Sequence, residues 1–269
     1  MTDRSLGTAL ITGASTGIGA VYADRLAKRG YDLILVARNE QRLNAISARL
    51  ASETGRSITP LPADLGDKTG LARVEAALRN DPAITMLVNN AGVASIAPLL
   101  NADVEKMEAM IALNVTALTR LTYAAAPAFV ARGAGTIINI ASTVGIAVEA
   151  LNGVYGATKA FVLAFSHSLR HELGDKGIRV QAVLPGATAT DLWEIAGRPH
   201  QTLPAEIVMS PEDMVDAALA GLDQGEPVTI PPLHDGDEWT RFEAARREIS
   251  RHLGNAVPAP RYRTAPNIK

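Results

Sequence analysis

The chain has no cysteine among its 269 residues, which excludes a disulfide framework, a thiol nucleophile and any thiolate metal site. It also lacks an excess of either charge, with 26 Lys and Arg against 28 Asp and Glu for a net charge of −2. Without a polybasic surface, neither nucleic acid nor an anionic membrane is expected as a partner, and small ligands near neutrality fit better. No apolar run is long enough to span a bilayer, and Met1 to Ser5 lead into a short apolar segment unlike a signal-peptide core. The expectation is a cytoplasmic protein with no resident metal. No internal repeat or second core is visible. One α/β domain is expected over residues 1–253, with a Pro-rich, polar tail at 254–269.

What is present is an alternation of short apolar runs with helical patterns. Thr8 to Ile11 reads as a strand running into Thr12-Gly13-Ala14-Ser15-Thr16-Gly17-Ile18-Gly19. A helical pattern follows through Arg29 and is closed by Gly30. Strand, glycine-rich turn and helix start together make an anion site: glycines allow close backbone approach, and free N–H groups with the helix dipole favour a pyrophosphate. Gly13, Ser15, Thr16, Gly17, Ile18 and Gly19 are the candidates there. Asp32 to Ala37 completes a β-α-β unit. In such units an acidic residue about 20 positions past the glycines takes the adenosine ribose of NAD, whereas an Arg accommodates the extra phosphate of NADP. Ala37 and Arg38 stand in that place, with Arg42 one turn on. A planar guanidinium suits phosphate; an ordinary exposed Arg before the next helix is the plain alternative.

Further strands are expected at Ile58 to Leu61, ending at Asp64-Leu65 and placed at a sheet edge by its prolines, and at Ile84 to Val88, leading to Asn89-Asn90-Ala91-Gly92. Thr136 to Ile140 leads to Ser142, Arg179 to Leu184 leads to Pro185-Gly186, and Pro227 to Ile230 is a last short strand. One long helix is expected from Val104 past Leu121, with Asn114 in its middle needing a partner if buried. Ala187 to Ser210 reads as an irregular lid, Ser210 with Asp213 as a helix start, and Asp237 to Leu253 as a charged terminal helix. Tyr155 and Lys159 lie four residues apart in a helix and so share a face. A close ammonium favours phenolate and eases proton transfer, although a half-exposed Tyr beside a solvated Lys has the same spacing.

Taken together, Thr12-Gly13-x-x-x-Gly17-x-Gly19, Asp64, Asn89-Asn90-Ala91-Gly92, Asn114, Ser142, Tyr155-x-x-x-Lys159 and Pro185-Gly186 with Thr190 resemble the classical short-chain dehydrogenase/reductase family over roughly residues 5 to 232. The resemblance implies a Rossmann-type, doubly wound, seven-stranded parallel sheet in the order 3-2-1-4-5-6-7, helices on both faces, and a homodimer or homotetramer. It implies Tyr155 as the acid that protonates a carbonyl oxygen, Ser142 as the group holding that oxygen, and Asn114 as the holder of a water in a proton relay. Lys159 would lower the Tyr155 pKa and bind the nicotinamide ribose. Asp64 would meet the adenine, Asn90 the adenosine side and Thr190 the carboxamide region; Leu65, Ala91, Gly92, Pro185, Gly186 and Thr188 complete the cofactor set.

The implied activity is an NADP(H)-dependent interconversion of carbonyl and alcohol on a moderately hydrophobic small molecule. Val93, Val144, Ile146, Leu151, Leu192, Trp193 and Ile195 are the expected walls. Pro231-Pro232 replaces the Asp-Gly-Gly ending common among the family's ketoacyl-carrier-protein reductases and sugar-alcohol dehydrogenases, which puts those substrates in doubt. The rival from another class is a catalytically silent NADP(H)-binding regulator on the same fold. A nucleotide-sugar epimerase is disfavoured by the glycine spacing and by the lack of a larger C-terminal substrate domain.

Overall fold

A computed structural model describes residues 6–262; Met1 to Ser5 and the end of the tail at 263–269 lie outside the described residues. The chain divides into two compact units between Pro232 and Leu233. In the first, seven parallel strands form one sheet: β1 (Thr8–Thr12), β2 (Asp32–Ala37), β3 (Ile58–Pro62), β4 (Ile84–Asn89), β5 (Gly135–Ile140), β6 (Ile178–Val183) and β7 (Val228–Thr229). Their order is β3-β2-β1-β4-β5-β6-β7. The central strands are near-continuous apolar runs because both faces are covered. In β1, Ala9 and Ile11 join a core built with α1 (Gly17–Lys28), α2 (Glu40–Thr54) and a late helix at Pro211–Asp223, while Leu10 joins the opposite core. That second core holds Leu78 of α3 (Lys68–Asn80), Phe129 and Leu169. The side-chain period of two in a strand is what sends neighbours to different cores. Pro60 and Pro62 are tolerated because β3 is the sheet edge.

The long helix expected from Val104 is not uniform. It runs as α4 (Val104–Ile111), a π-helical segment at Ala112–Ala117, and α5 (Leu118–Arg132), stopped by Gly133 at φ 68°. The wide segment contains Asn114, which is 2% exposed. Its Oδ1 accepts from the Val93 amide at 2.9 Å, and its Nδ2 donates to the Val93 carbonyl at 2.9 Å and to Thr158 Oγ1 at 3.1 Å. One turn opened to i→i+5 accommodates this inward amide without ending the helix.

Next come α6 (Gly153–Leu173), α7 (Leu192–Ile195) and α8 (Pro211–Asp223). Ser210 caps α8 by accepting from Asp213 N at 3.0 Å, as the Ser-x-x-Asp pattern suggests. The segment before it, expected as a lid, has only short helical turns, and its base is held where Met209 N donates to Ala187 O at 2.9 Å and Ala189 N to Met209 O at 3.0 Å. In the second unit α9 (Gly236–Ser250) is capped by Asp235, stacks Trp239 on Phe242 at 5.3 Å between centroids, and pairs Glu243 with Arg246.

Helices α3 and α5 are bound by a buried acid. Glu75 of α3 accepts from Arg79 at 2.6 Å and from Arg120 of α5. Burial pushes the Glu75 carboxyl upward, but the hydrogen bonds and charges of Arg120 and Arg79 outweigh it and hold it below its ordinary value. A carboxylate depressed by folding stabilises above its unfolded value, near pH 4 or so (about 4.3), and loses that contribution as pH falls through its folded value. Arg120→Ala should therefore cost about 1–3 kcal/mol at neutral pH, and the deficit should shrink in acid. Urea unfolding of both proteins at the two pH values checks this; an unchanged midpoint at neutral pH would contradict it.

Candidate active site

The site lies at the carboxyl ends of the strands, where the sheet order reverses between β1 and β4. Thr12, the last residue of β1, donates its hydroxyl to Val88 O at 3.2 Å and accepts from Asn90 N and Ala91 N at 2.9 and 3.0 Å. The Asn90 amide donates to Thr12 O and Gly13 O at 2.9 and 3.2 Å. This clasp presses the glycine turn against the end of β4. Gly17 takes φ 53°, the left-handed region, and a Cβ on Gly19 would collide with the Gly13 carbonyl.

A cavity of about 620 Å³ opens over these strand ends. Gly13, Ser15, Thr16, Gly17 and Ile18 line it, as do Arg38, Arg42, Asp64 and Leu65. Asn90, Ala91, Gly92, Pro185, Gly186, Thr188 and Thr190 are on its wall, together with Ser142, Tyr155 and Lys159. Two sequence candidates are not on the wall. Gly19 is buried in the turn, and Asn114 lies behind Gly92 with its amide engaged as described. Of the expected apolar walls, Val93, Val144, Leu151, Leu192, Trp193 and Ile195 line the cavity, whereas Ile146 does not and is partly exposed. Asn39 was not singled out from the sequence; it lines the cavity beside Arg38 and caps α2 by accepting from Arg42 N at 2.9 Å. Its signal was its place just before a helix.

Tyr155 and Lys159 do share a face of α6, but burial changes their electrostatics. The phenol is 6% and the ammonium residue 7% exposed. Burial pushes the Tyr155 phenol up to about 12, offset only in part by its hydrogen bond with Ser142. This corrects the expectation that Lys159 would lower it: Lys159 Nζ is 5.9 Å from the ring centroid, donates to Ile140 O at 2.9 Å, and is itself pulled down to about 8 by burial. The Ser142 hydroxyl donates to Pro185 O at 3.3 Å and accepts from Val144 N at 3.4 Å. A neutral phenol, a hydroxyl and a buried amine thus line one cavity, an arrangement able to give a proton to an oxygen held there.

Asn152 also escaped notice in the sequence. It is buried, caps α6 by accepting from Val154 N and Tyr155 N at 2.9 and 3.3 Å, and donates to Ala97 O on the facing loop. Among the described residues no cluster of His, Asp or Glu could hold a metal ion, and no helix is long and apolar enough to cross a membrane.

Residues 7–199 match the family model described as short chain dehydrogenase. Among solved structures, a short-chain dehydrogenase from Sphingobium yanoikuyae in complex with NADPH is 51% identical with a TM-score of 0.93, over 96% of this chain and 100% of that one. The bulky-bulky ketone specific alcohol dehydrogenase from Comamonas testosteroni is 45% identical with a TM-score of 0.90, over 97% and 100%. An NADP-dependent 3-hydroxy acid dehydrogenase of Salmonella typhi is 36% identical over 77% of this chain and 86% of its own length.

The double role of Asn152 yields a test. Asn152→Ala removes the helix cap and leaves the Ala97 carbonyl without its donor, so about 1–3 kcal/mol of stability should be lost. Asn152→Asp keeps the cap acceptor and should recover part of it. Denaturant unfolding of the two variants beside the parent decides, and an Ala variant as stable as the parent would remove Asn152 from the architecture of the site.

Proposed function

The chain belongs to the short-chain dehydrogenase family, and on that premise we propose that it is an NADP(H)-dependent oxidoreductase interconverting a carbonyl and an alcohol on a moderately hydrophobic small molecule, with Tyr155 as the proton donor. The observation that carries this reading is the convergence of Tyr155, Ser142 and Lys159 on a cavity whose wall also holds the glycine turn and Arg38. The likeness to an NADPH complex and to a ketone-specific alcohol dehydrogenase supports it.

The residues present fit such a cofactor. The first turn of α1 has no acidic residue, the Thr16 side chain makes no capping hydrogen bond, and Gly13 and Gly17 leave the backbone bare, so the amides are open to a pyrophosphate. Arg38 and Arg42 would hold the 2′-phosphate, Asp64 and Leu65 would border the adenine, Asn90, Ala91 and Gly92 the adenosine side, and Pro185, Gly186, Thr188 and Thr190 the carboxamide. When bound, NADP(H) supplies or accepts the hydride.

Ser142 would donate to the carbonyl oxygen and hold it beside the phenol. Tyr155, protonated at neutral pH as any phenol is and held so more firmly by burial, would then give its proton to that oxygen, or take it back when an alcohol is oxidised. Lys159 would bind the ribose and Asn114 would brace the wall behind Gly92 while keeping its place in the relay. The exposed Val104, Ile111 and Phe161 on α4 and α6 support assembly into a symmetric homodimer or homotetramer.

Tyr155→Phe keeps the ring and deletes the proton, so turnover should fall by about 10²–10⁴ while NADPH affinity stays unchanged. NADPH oxidation over a carbonyl panel, run beside cofactor titration, measures both. Tight NADPH binding with no carbonyl ever reduced would instead make the chain a cofactor-binding regulator.

Cofactor choice has its own test. Ala37→Asp combined with Arg38→Leu puts a negative charge where the phosphate would lie and removes its cation, which should turn the preference from NADPH toward NADH. Equal dissociation constants for the two cofactors in the parent protein would sink this assignment.

A further inference from the structure

A second cavity of about 580 Å³ adjoins the first. Ile96, Ala150, Leu151, Ala187 and Trp193 line both, so a chamber bordered by Ser142 and Tyr155 continues across an apolar wall into another. Leu203 and Ile207 of the lid extend that wall. Among the described residues lining the second cavity, Arg198 is the only charged one. Its Nε donates to Thr202 Oγ1 at 3.2 Å and its Nη2 to Thr202 O at 3.4 Å, and no described carboxylate pairs with it. Arg42, on the first cavity, differs in standing 3.7 Å from Asp191.

An exposed guanidinium tethered by neutral acceptors, without a described counter-ion, on the wall of a mainly apolar cavity is suited to a planar anion. The shared wall has little use for a small polar substrate, since burying apolar surface is the only favourable term most of it offers.

We propose that the second cavity receives the far end of the substrate and that Arg198 holds a carboxylate there. The substrate class is an oxo acid with a long apolar body between its carbonyl and its acid group, or the corresponding hydroxy acid. This rests on the reading of Tyr155 and Ser142 as the carbonyl end. No new bond chemistry is involved: Arg198 selects the substrate and positions it.

The experiment titrates the NADP⁺-loaded protein by calorimetry with a series of straight-chain oxo acids of increasing length and with their methyl esters, while NADPH consumption is followed on the same compounds. In the parent, long acids should bind about three- to tenfold tighter than their own esters. Arg198→Met, which keeps an unbranched apolar stem but not the guanidinium, should abolish that difference, and Arg198→Lys should restore part of it. Acids and esters that bind alike to the parent, an acid preference that survives Arg198→Met, or no binding of any acid would each overturn the proposal. Acids that bind through Arg198 but are never reduced would leave the tail site standing and defeat the carbonyl-reducing function. Reduction of neutral ketones without any preference for acids would do the reverse.

Discussion

The Thr12 hydroxyl and the Asn90 amide meet at the point where the sheet changes direction: the hydroxyl donates once and accepts twice, and the amide nitrogen donates twice, all to or from backbone atoms of the other strand's end. β1 must deliver a turn bare of side chains while β4 delivers the floor of the cavity, and nothing in the strand ladder alone holds those two ends together once both have left the sheet. Two short polar side chains do so in a place where an unpaired backbone group would be costly. The open amides of α1, the position of Gly92 and the line of sight from the turn to Tyr155 all follow from that junction.

A second set of buried amides fixes the other half of the site. Asn89 donates to Asn139 at 2.9 Å and to Thr122 at 3.2 Å, and Asn139 donates to Ser166 of α6 at 3.0 Å. The chain of bonds thus crosses from β4 through β5 to the helix that carries Tyr155. Lys159 adds a further tie from α6 to the end of β5, and Thr158 connects the same helix to Asn114. Directed hydrogen bonds of this kind favour one register of helix on sheet, although Asn89 Oδ1 itself is buried with no described partner. Ser142 at the end of β5 and Tyr155 near the start of α6 gain their mutual placement from it.

Much of this was legible in the chain. Strands such as Ile84 to Val88 and Thr136 to Ile140 are short, mainly apolar runs between helical patterns, and counting from the glycines reached Arg38, because the spacing within a β-α-β unit is regular. Three things were not legible. The π segment leaves the apolar periodicity of Val104 to Leu121 intact while widening one turn, so only Asn114 hinted at it. The raised Tyr155 pKa depends on how deeply the phenol is buried, whereas i,i+4 spacing reports only that an ammonium is near. The second cavity is assembled from residues near 96, 150 and 200, which no local pattern connects.

The segment between β6 and α8 leaves and rejoins the sheet at one hydrogen-bonded point, where Ala187 and Ala189 flank the bridge from Thr188 to Met209. With both ends held there, its length is a quantity the sheet hardly feels, because even doubling a flexible loop costs only about 0.6 kcal/mol of closure entropy. The segment between those residues can therefore change length at little cost to the sheet beneath it, whereas changing Thr190, Leu192 or Trp193 within it reshapes the cavity they line.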